Sequence, residues 1–443
     1  MKMPPKHSNF SRTPVITGMK AKTFFYMALA CPIALLLALG LFNWLVNPIL
    51  LFESPDIKGF NLKKSQWFYS QFLTKPYAVR RRKPNALILG TSRSGFTLDP
   101  SHPGWDNYDS YNYALAGTTM MVQWHSFVHA NHVRPVKRVL LGLDLYMFNA
   151  CREQHREKPM QDYLERLRGG GPEIARTYPR RLLQDYADTL LSADITRKSW
   201  RTVLSQEPTD VQQLHAHQNG LWQNGIPAHR PQRQLFRIIE RQYIGSDWFP
   251  APDHCYALQR NGSKPQLEYL EKFLKLARSQ KTEVVLIFSP FHARLGEAMR
   301  VVGIWPEFEQ LKREVVALVE SLAIEERVEP YPIWDFSGYN QINNEPVPGP
   351  GNTDVRMKWY LDGTHGTAEL GKLVQDTLLA ETQLIPDFGR QLESSSLESW
   401  LATINLGADK YRNTHTRDVE EIFKSAKRFN AVADLVDTAP KDR

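Results

Sequence analysis

The stretch that decides the fold is ALILG at residues 86–90. An unbroken apolar run of this length, ending in glycine, is typical of a strand buried on both faces of a parallel sheet. Two similar runs follow at residues 139–143 and 284–288. The sequence therefore predicts a sheet whose central strands are parallel and covered on both sides.

The segments between and after these runs have the periodicity of amphipathic helices. The apolar faces consist of Leu267, Leu270, Leu274 and Ala277 in one helix, Phe308, Leu311, Val315, Leu318 and Leu322 in the next, and Leu370, Val374 and Leu378 in a third. Thr367 is a suitable N-cap for the third helix. Strands that alternate with helices predict an α/β fold of three layers, in which helices flank a mostly parallel sheet.

The N-terminal part contains a long segment without charge. Residues 23–52 carry no charged side chain, and residues 24–46 form an apolar run about as long as the ~20 residues that cross a bilayer. A cleaved signal peptide is the competing interpretation. Its apolar core spans only ~7–15 residues, and residues 43–48 offer no cleavage site between small side chains. We therefore predict a retained transmembrane helix over residues 23–46.

Charge predicts how this helix is oriented. Five basic residues and no acidic residue precede it, namely Lys2, Lys6, Arg12, Lys20 and Lys22. By the positive-inside rule the N-terminus is cytoplasmic, the chain is a single-pass protein of the inner membrane, and its main domain is periplasmic or extracellular. The same five residues supply most of the formal net charge of +8, so the rest of the chain has no basic surface typical of nucleic-acid binding.

Three cysteines are present in the sequence. Cys31 lies within the predicted span, whereas Cys151 and Cys255 would face an oxidising compartment if the domain is exported. The sequence leaves open whether these two form a disulfide or remain free, because spacing does not reveal proximity.

The chain divides into five predicted parts. They are a cytoplasmic tail (1–22), the transmembrane helix (23–46), a juxtamembrane connector (47–84), an α/β domain (85–386) with an inserted cap (150–265), and a helical C-terminal tail (387–443). Within the cap we expect a glycine hinge at 169–171, helices at 180–191 and 195–204, and aromatic loops over 222–256. The cap is expected to cover the crevice at the carboxyl edge of the sheet.

Active sites of parallel sheets gather where the strands end, which directs attention to GTSRS at residues 90–94. A serine on a tight turn between strand and helix can attack a carbonyl, so Ser92 is a candidate nucleophile. The alternative is an ordinary helix N-cap. A serine nucleophile needs a base, and Asp362 and His365 in DGTHG at 362–366 supply a carboxylate and an imidazole at suitable spacing.

These motifs resemble those of the SGNH (GDSL-type) esterases and acyltransferases, in four blocks spread over residues 86–380. GTSRS resembles the first block and implies Ser92 as nucleophile and amide donor, with Arg93 beside it as a substrate-binding candidate. YNYALAGTT at 111–119 resembles the second, with Asn112 as a further candidate and Gly117 as a second amide donor to the oxyanion. YLDGTHGTAELG at 360–371 resembles the fourth and implies Asp362 and His365 as the other triad members.

The third block departs from the family pattern. Asp144, in LGLD at 141–144, stands where the family has an asparagine that donates to the oxyanion. An ionised aspartate cannot donate a hydrogen bond. Asp144 is therefore protonated, replaced in that role by Asn149, or structural.

The resemblance implies a flavodoxin-like sheet and a membrane-anchored serine esterase or O-acyltransferase, closest to envelope proteins of the alginate O-acetylation and lipoteichoic acid D-alanylation type. Its expected partners are the membrane, an acylated glycan or other ester of the envelope or an exopolysaccharide, and a biosynthesis complex. No cofactor is expected. The alternative is an inactive envelope protein that binds glycan or scaffolds such a complex. A polysaccharide transport component is a third possibility that one isolated span does little to support.

Other polar residues complete the set of candidates. His292, in SPFH at 289–292, is expected either to line the crevice or to cap a strand, and Asp335 is a reserve carboxylate should Asp362 be misplaced. His125, His129 and His132 recur at helical spacing. Their aromatic and aliphatic neighbours favour a semi-buried helix, so we expect no metal.

Overall fold

The computed structural model describes residues 21–64, 66–152, 157–167, 172–206, 219–222, 230–352, 354–379, 385–429 and 431. These residues form one six-stranded sheet in the order β2-β1-β3-β4-β5-β6. Its strands are β1 Ala86–Leu89, β2 Ser110–Asn112, β3 Arg138–Leu143, β4 Glu283–Phe288, β5 Ile333–Asp335 and β6 Arg390–Gln391. The first five are parallel and β6 is antiparallel to β5, which confirms the predicted, mostly parallel α/β sheet.

Helices surround this sheet. They are α1 Ala21–Val46, α2 Gln71–Arg82, α3 Ser92–Thr97, α4 Met120–Val133, α5 Lys158–Glu165, α6 Pro172–Leu191, α7 Ala193–Leu204, α8 Gln232–Gln242, α9 Pro265–Ser279, α10 Ala293–Val301, α11 Trp305–Glu326, α12 Ala368–Leu379, α13 Ser394–Thr414 and α14 Thr416–Arg428. The predicted N-cap of α12 is present, because the Thr367 hydroxyl accepts the Leu370 amide at 3.3 Å.

Side chains alternate between the two faces of the sheet. Leu87 and Leu89 of β1 belong to one hydrophobic core, whereas Ala86 and Ile88 belong to a second. The first core contains the predicted apolar faces of α9 and α11, and the second contains that of α12. Burial on both faces is the reason the central strands are continuously apolar.

Helix α1 includes a segment, Lys22–Val46, that is long and apolar enough to cross a membrane. Most of its side chains are exposed, but near its C-terminal end it packs against α6 and α7. The inserted region therefore contacts this helix in addition to the α/β domain.

The insertion is more helical than predicted. The helices expected at 180–191 and 195–204 are present as α6 and α7, whereas the expected hinge at 169–171 lies outside the described residues. The stretch 222–256 was predicted as loops and contains α8 and a π-helical turn, Tyr243–Asp247. Cys151 and Cys255 form a disulfide that joins the two ends of the insertion, with their Cα atoms 6.0 Å apart.

The predicted helical tail forms α13 and α14, which pack against the domain. Residues before α13 add the edge strand β6 to the sheet. A buried ionic network then joins α10, α8 and α14, because Arg294 binds both Glu240 at 2.6 Å and Asp418 at 2.7 Å. The tail is thus part of the same packed body as the sheet.

Candidate active site

Ser92 is the first residue of α3 and follows the turn that leaves β1. Gly90 in this turn has φ +135°, and a side chain there would collide with the hydroxyl of Ser94. Thr91 caps α3, since its Oγ1 accepts the Arg93 amide at 3.3 Å. The turn thereby leaves the Ser92 hydroxyl free to face His365, whose Nε2 lies 2.9 Å from Ser92 Oγ.

A short loop holds Asp362 and His365 in mutual contact. Asp362 Oδ1 accepts the amides of Thr364 at 2.8 Å and His365 at 2.9 Å, and Oδ2 lies 2.8 Å from His365 Nδ1. A carboxylate only accepts hydrogen bonds, so Nδ1 carries the proton and Nε2 is available to accept the proton of Ser92. The structure therefore brings the three predicted catalytic residues together in the order that general-base activation of a serine requires.

An aromatic wall stands beside the imidazole. It consists of Phe68, Phe96 and Trp222, whose ring centroids lie 5.2 to 5.7 Å from one another. The Phe96 ring is 4.7 Å from the His365 ring. Phe68 comes from the predicted connector and Trp222 from the insertion, so three distant parts of the chain meet next to His365.

Gly117 lies in the loop that follows β2. Its φ of +60° is a left-handed conformation that favours glycine. The same loop is held beside the β1 turn, because the Leu115 amide donates to Gly90 O at 2.9 Å. The Tyr146 hydroxyl donates to Gly117 O at 3.3 Å and orients the peptide further.

Asn112 has a structural position. It is buried, and its side-chain amide donates to Ser94 O at 2.9 Å and Leu98 O at 2.8 Å. Its Oδ1 accepts the Ala114 amide at 3.1 Å. Asn112 therefore ties α3 to β2, and its polar atoms are engaged away from the Ser92 hydroxyl.

Asp144 and Arg93 form a buried ion pair behind the nucleophile. Arg93 Nη1 lies 3.2 Å from Asp144 Oδ1, and the Thr91 hydroxyl donates to Asp144 Oδ2. Arg93 Nε donates to Thr364 Oγ1 at 2.7 Å, which links the GTSRS motif to the loop that carries Asp362 and His365, here called the histidine loop. Of the three alternatives for Asp144, this geometry fits the structural one, because its oxygens accept from the cation and the hydroxyl.

The side chains of two other candidates are engaged with residues outside the triad, although the His292 amide donates to Gly363 O in the loop that carries Asp362 and His365. The Asn149 amide donates to Trp248 O at 3.0 Å and its Oδ1 accepts the Cys151 amide at 2.9 Å, so it organises the disulfide junction. His292 caps α10, where Nδ1 accepts the Arg294 amide at 3.2 Å and Nε2 donates to a carbonyl at 2.7 Å. Burial lowers the pKa of His292 to about 3, and the ring is neutral.

The remaining candidates are also engaged elsewhere. Asp335 is fully buried and binds Lys312 Nζ at 2.7 Å and Trp400 Nε1 at 2.8 Å, so it does not replace Asp362. His129 is buried and donates to Pro76 O at 3.2 Å. Among the residues that the structure describes, no cluster of histidine, cysteine or acidic side chains could hold a metal ion.

Lys75 supports the site, and no pattern in the sequence predicts this role. Its ammonium group is buried and donates to Asn112 O and Ala114 O, both at 2.8 Å, and to Gly220 O at 3.1 Å. Burial lowers its pKa well below the usual value. The lysine sits in a basic connector, where a charged residue is normally expected to face solvent.

The chain was also compared with known proteins. No protein-family model matches it, and a search of curated proteins gave no significant match. The assignment of a function therefore depends on the geometry of the site.

Proposed function

We propose that this chain is a membrane-anchored serine esterase or O-acyltransferase of the SGNH type. The observation that carries the proposal is the continuous relay from Ser92 Oγ to His365 Nε2 at 2.9 Å and from His365 Nδ1 to Asp362 Oδ2 at 2.8 Å. Such a relay is suited to acyl transfer because it supplies a nucleophile, a base and a group that orients the base.

The reaction proceeds in two halves. His365 Nε2 takes the proton of Ser92 as Oγ attacks the ester carbonyl, and the tetrahedral intermediate collapses when the leaving alcohol takes that proton from His365. Water or a sugar hydroxyl then gives its proton to His365 and attacks the acyl-enzyme carbonyl, and His365 returns the proton to Ser92 Oγ as the bond between Oγ and the acyl carbon breaks. With water the product is a free acid, and with a glycan it is a new ester.

The oxyanion is assigned to backbone donors. The amides of Ser92 and Gly117 are the donors that the SGNH resemblance implies, and the conformation of the Gly117 loop supports this role. Asp144 is not a third donor, because it is paired with Arg93. The site consequently has fewer side-chain donors to the oxyanion than the family pattern has.

The order of the motifs along the chain supports the SGNH assignment. Ser92 follows β1, Gly117 follows β2, Asp144 follows β3, and the Asp362–His365 loop precedes α12. This is the order of the four family blocks. The polar residues of the first, third and fourth blocks also contact one another through Arg93 and Thr364.

The proposed location is the outer face of the inner membrane, with the N-terminus in the cytoplasm. The length of α1 and the five basic residues that precede its apolar run support this topology. The Cys151–Cys255 disulfide supports an oxidising compartment. A substrate of the envelope or an exopolysaccharide follows from that location, and acetyl esters and acetylated glycans are the first to test.

The test uses the full-length protein in detergent with a fluorophosphonate probe and an acetyl ester. Ser92→Ala and His365→Ala should each abolish labelling and lower ester turnover about 1,000-fold or more. Ser94→Ala is the matched control, since the Ser94 hydroxyl is buried two residues away and has no hydrogen-bond partner among the residues that the structure describes. Equal labelling of wild type and Ser92→Ala would contradict the proposal.

The second candidate is a catalytically inactive protein that binds glycan or scaffolds an envelope complex. Asp144 favours it, because a carboxylate occupies the position at which the family has a donor. This candidate predicts a folded wild-type protein that fails to react with the probe and still binds an acetylated glycan.

A further inference from the structure

The hairpin formed by α6 and α7 is packed on α1 through a polar contact. Asn43 lies near the end of the apolar α1 and is fully buried. Its side-chain amide donates to Leu190 O and Thr196 Oγ1, both at 2.9 Å, and its Oδ1 accepts the Ser199 hydroxyl at 2.9 Å. The hairpin thus satisfies the polar side chain that α1 would otherwise carry into lipid.

Helix geometry gives the depth of this contact. The last charged residue before the apolar run is Lys22. A helix that rises about 1.5 Å per residue covers a hydrocarbon core of about 30 Å in about 20 residues, which ends near Phe42. The tip of the hairpin lies at that level, because the Leu190 side chain faces Gly40 and the Trp200 ring is 5.0 Å from the Phe42 ring.

The outward face of α7 has the composition of an interfacial helix. Trp200 is 55% exposed and Leu204 is 80% exposed. Arg197 and Arg201 are exposed on the same face, at helical spacing from these apolar residues. Tryptophan favours the level of the lipid headgroups, and arginine there meets lipid phosphates.

The opposite face of α7 is buried within the protein. Ile195 packs in a small core with Ile49, Leu51 and Tyr77. The helix therefore has a protein-facing side and an apolar, basic side that continues the exposed surface of α1.

We propose that α7 lies in the outer interface of the bilayer that α1 spans, with Trp200 and Leu204 inserted at the boundary between headgroups and acyl chains. The inference rests on the proposed membrane location of α1. A second contact with the bilayer restricts rotation of the domain about α1, and so holds the connector and the aromatic wall at a constant height above the membrane.

The experiment places a fluorescent bimane label at single cysteines in the full-length chain. The background is Cys31→Ala with the Cys151–Cys255 disulfide intact, in vesicles of phosphatidylethanolamine and phosphatidylglycerol that contain nitroxide-labelled lipid. Leu204→Cys tests the proposal and Leu36→Cys marks the span. Leu406→Cys on α13 is the matched control, because it is also a helical leucine, 71% exposed.

Bimane at position 204 should be quenched several-fold more than at position 406 and approach the quenching at position 36. Quenching at 204 no greater than at 406, with position 36 quenched, would overturn this inference and leave the proposed enzyme intact. An unquenched label at position 36 would overturn both the inference and the proposed location. Fluorophosphonate labelling of Ser92 in each variant verifies that the domain has folded.

Discussion

Asp144 and Arg93 form an ion pair with almost no exposure to solvent, directly behind the candidate nucleophile. An isolated buried charge is costly, whereas a pair with further hydrogen bonds is tolerated. The Thr91 hydroxyl and Thr364 Oγ1 supply those bonds. The buried carboxylate of Asp144 is therefore tolerated because its counter-ion is Arg93, the residue after Ser92.

This pairing predicts the effect of Asp144→Asn. The change leaves the Arg93 charge buried without its counter-ion, and we expect the free energy of unfolding to fall by about 3 kcal/mol. The double variant Arg93→Gln with Asp144→Asn should lose less, because no unpaired charge remains. Urea unfolding of the detergent-solubilised variants measures both values. A double variant less stable than the single one would contradict the ion-pair account.

His292 predicts a pH dependence of stability. Burial lowers its pKa in the folded protein from 6.5 to about 3, so only the unfolded chain takes up a proton between these values. The stabilising contribution is fully present above pH 6.5 and is lost as the pH falls toward 3, by at most about 1.4 kcal/mol per pH unit. His292→Asn can still cap α10 and does not titrate. Its unfolding free energy should fall less steeply between pH 6 and about 4, and an unchanged slope would exclude His292 as the source.

At the scale of elements, the connector is part of the site. It supplies Phe68 to the aromatic wall next to His365, and its helix α2 supplies Lys75, which donates to Ala114 O in the loop that contains Gly117. Phe68 is only partly buried, and its ring packs against Phe96, which in turn contacts the ring of His365. The connector thereby links α1 to the aromatic wall beside the candidate triad.

We predict that Phe68→Ala weakens the use of acyl esters without removing Ser92 reactivity. Loss of one apolar wall should lower kcat/KM roughly 10-fold, and more for longer acyl chains, because each buried methylene contributes about 1 kcal/mol. Tyr69→Ala is the matched control, since this neighbouring ring is 75% exposed. Steady-state kinetics with acetyl and butyryl esters test the prediction. Equal losses in both variants would argue against acyl contact by Phe68.

The elements differ in how well the sequence predicts them. The central strands β1, β3 and β4 are evident because burial on both faces leaves only apolar residues. The edge strands β2 and β6 are short and include Ser110, Asn112, Arg390 and Gln391, so no such run marks them. Helix α8 was missed because two of its charged residues are buried in ion pairs with other helices, Glu240 with Arg294 and Arg233 with Asp418.

The same reasoning applies to the site. The triad is predictable because each motif is local and its residue types are specific to the chemistry. The roles of Arg93, Phe68 and Lys75 depend on contacts with residues far away in the chain, such as Thr364 and Trp222. No local pattern encodes those contacts, and a basic or aromatic residue outside a motif is usually read as surface or core.

At the scale of the whole molecule, the insertion is fixed at its base and by contacts farther along it. The disulfide joins the two ends of the insertion, and the Asn149 side chain makes hydrogen bonds to the chain segments beside that disulfide. Beyond the base, α6 and α7 reach α1, whereas α8 reaches the histidine loop, where Phe236 lies against Gly363. The insertion therefore connects α1 to the face of the sheet that carries the candidate triad.

This arrangement predicts a large effect of removing the disulfide. Cys151 and Cys255 are separated by 104 residues, and a cross-link over a loop of that size stabilises the folded state by about 4.7 kcal/mol in the chain-entropy description. The double variant Cys151→Ser with Cys255→Ser should lose about that amount in urea unfolding, and reductant should lower the stability of the wild type by a similar amount. Cys31→Ser, in the exposed part of α1, is the control and should change neither value. A wild type whose stability is unaffected by reductant, and whose two cysteines react with maleimide before unfolding, would show that the pair is not joined in the native protein.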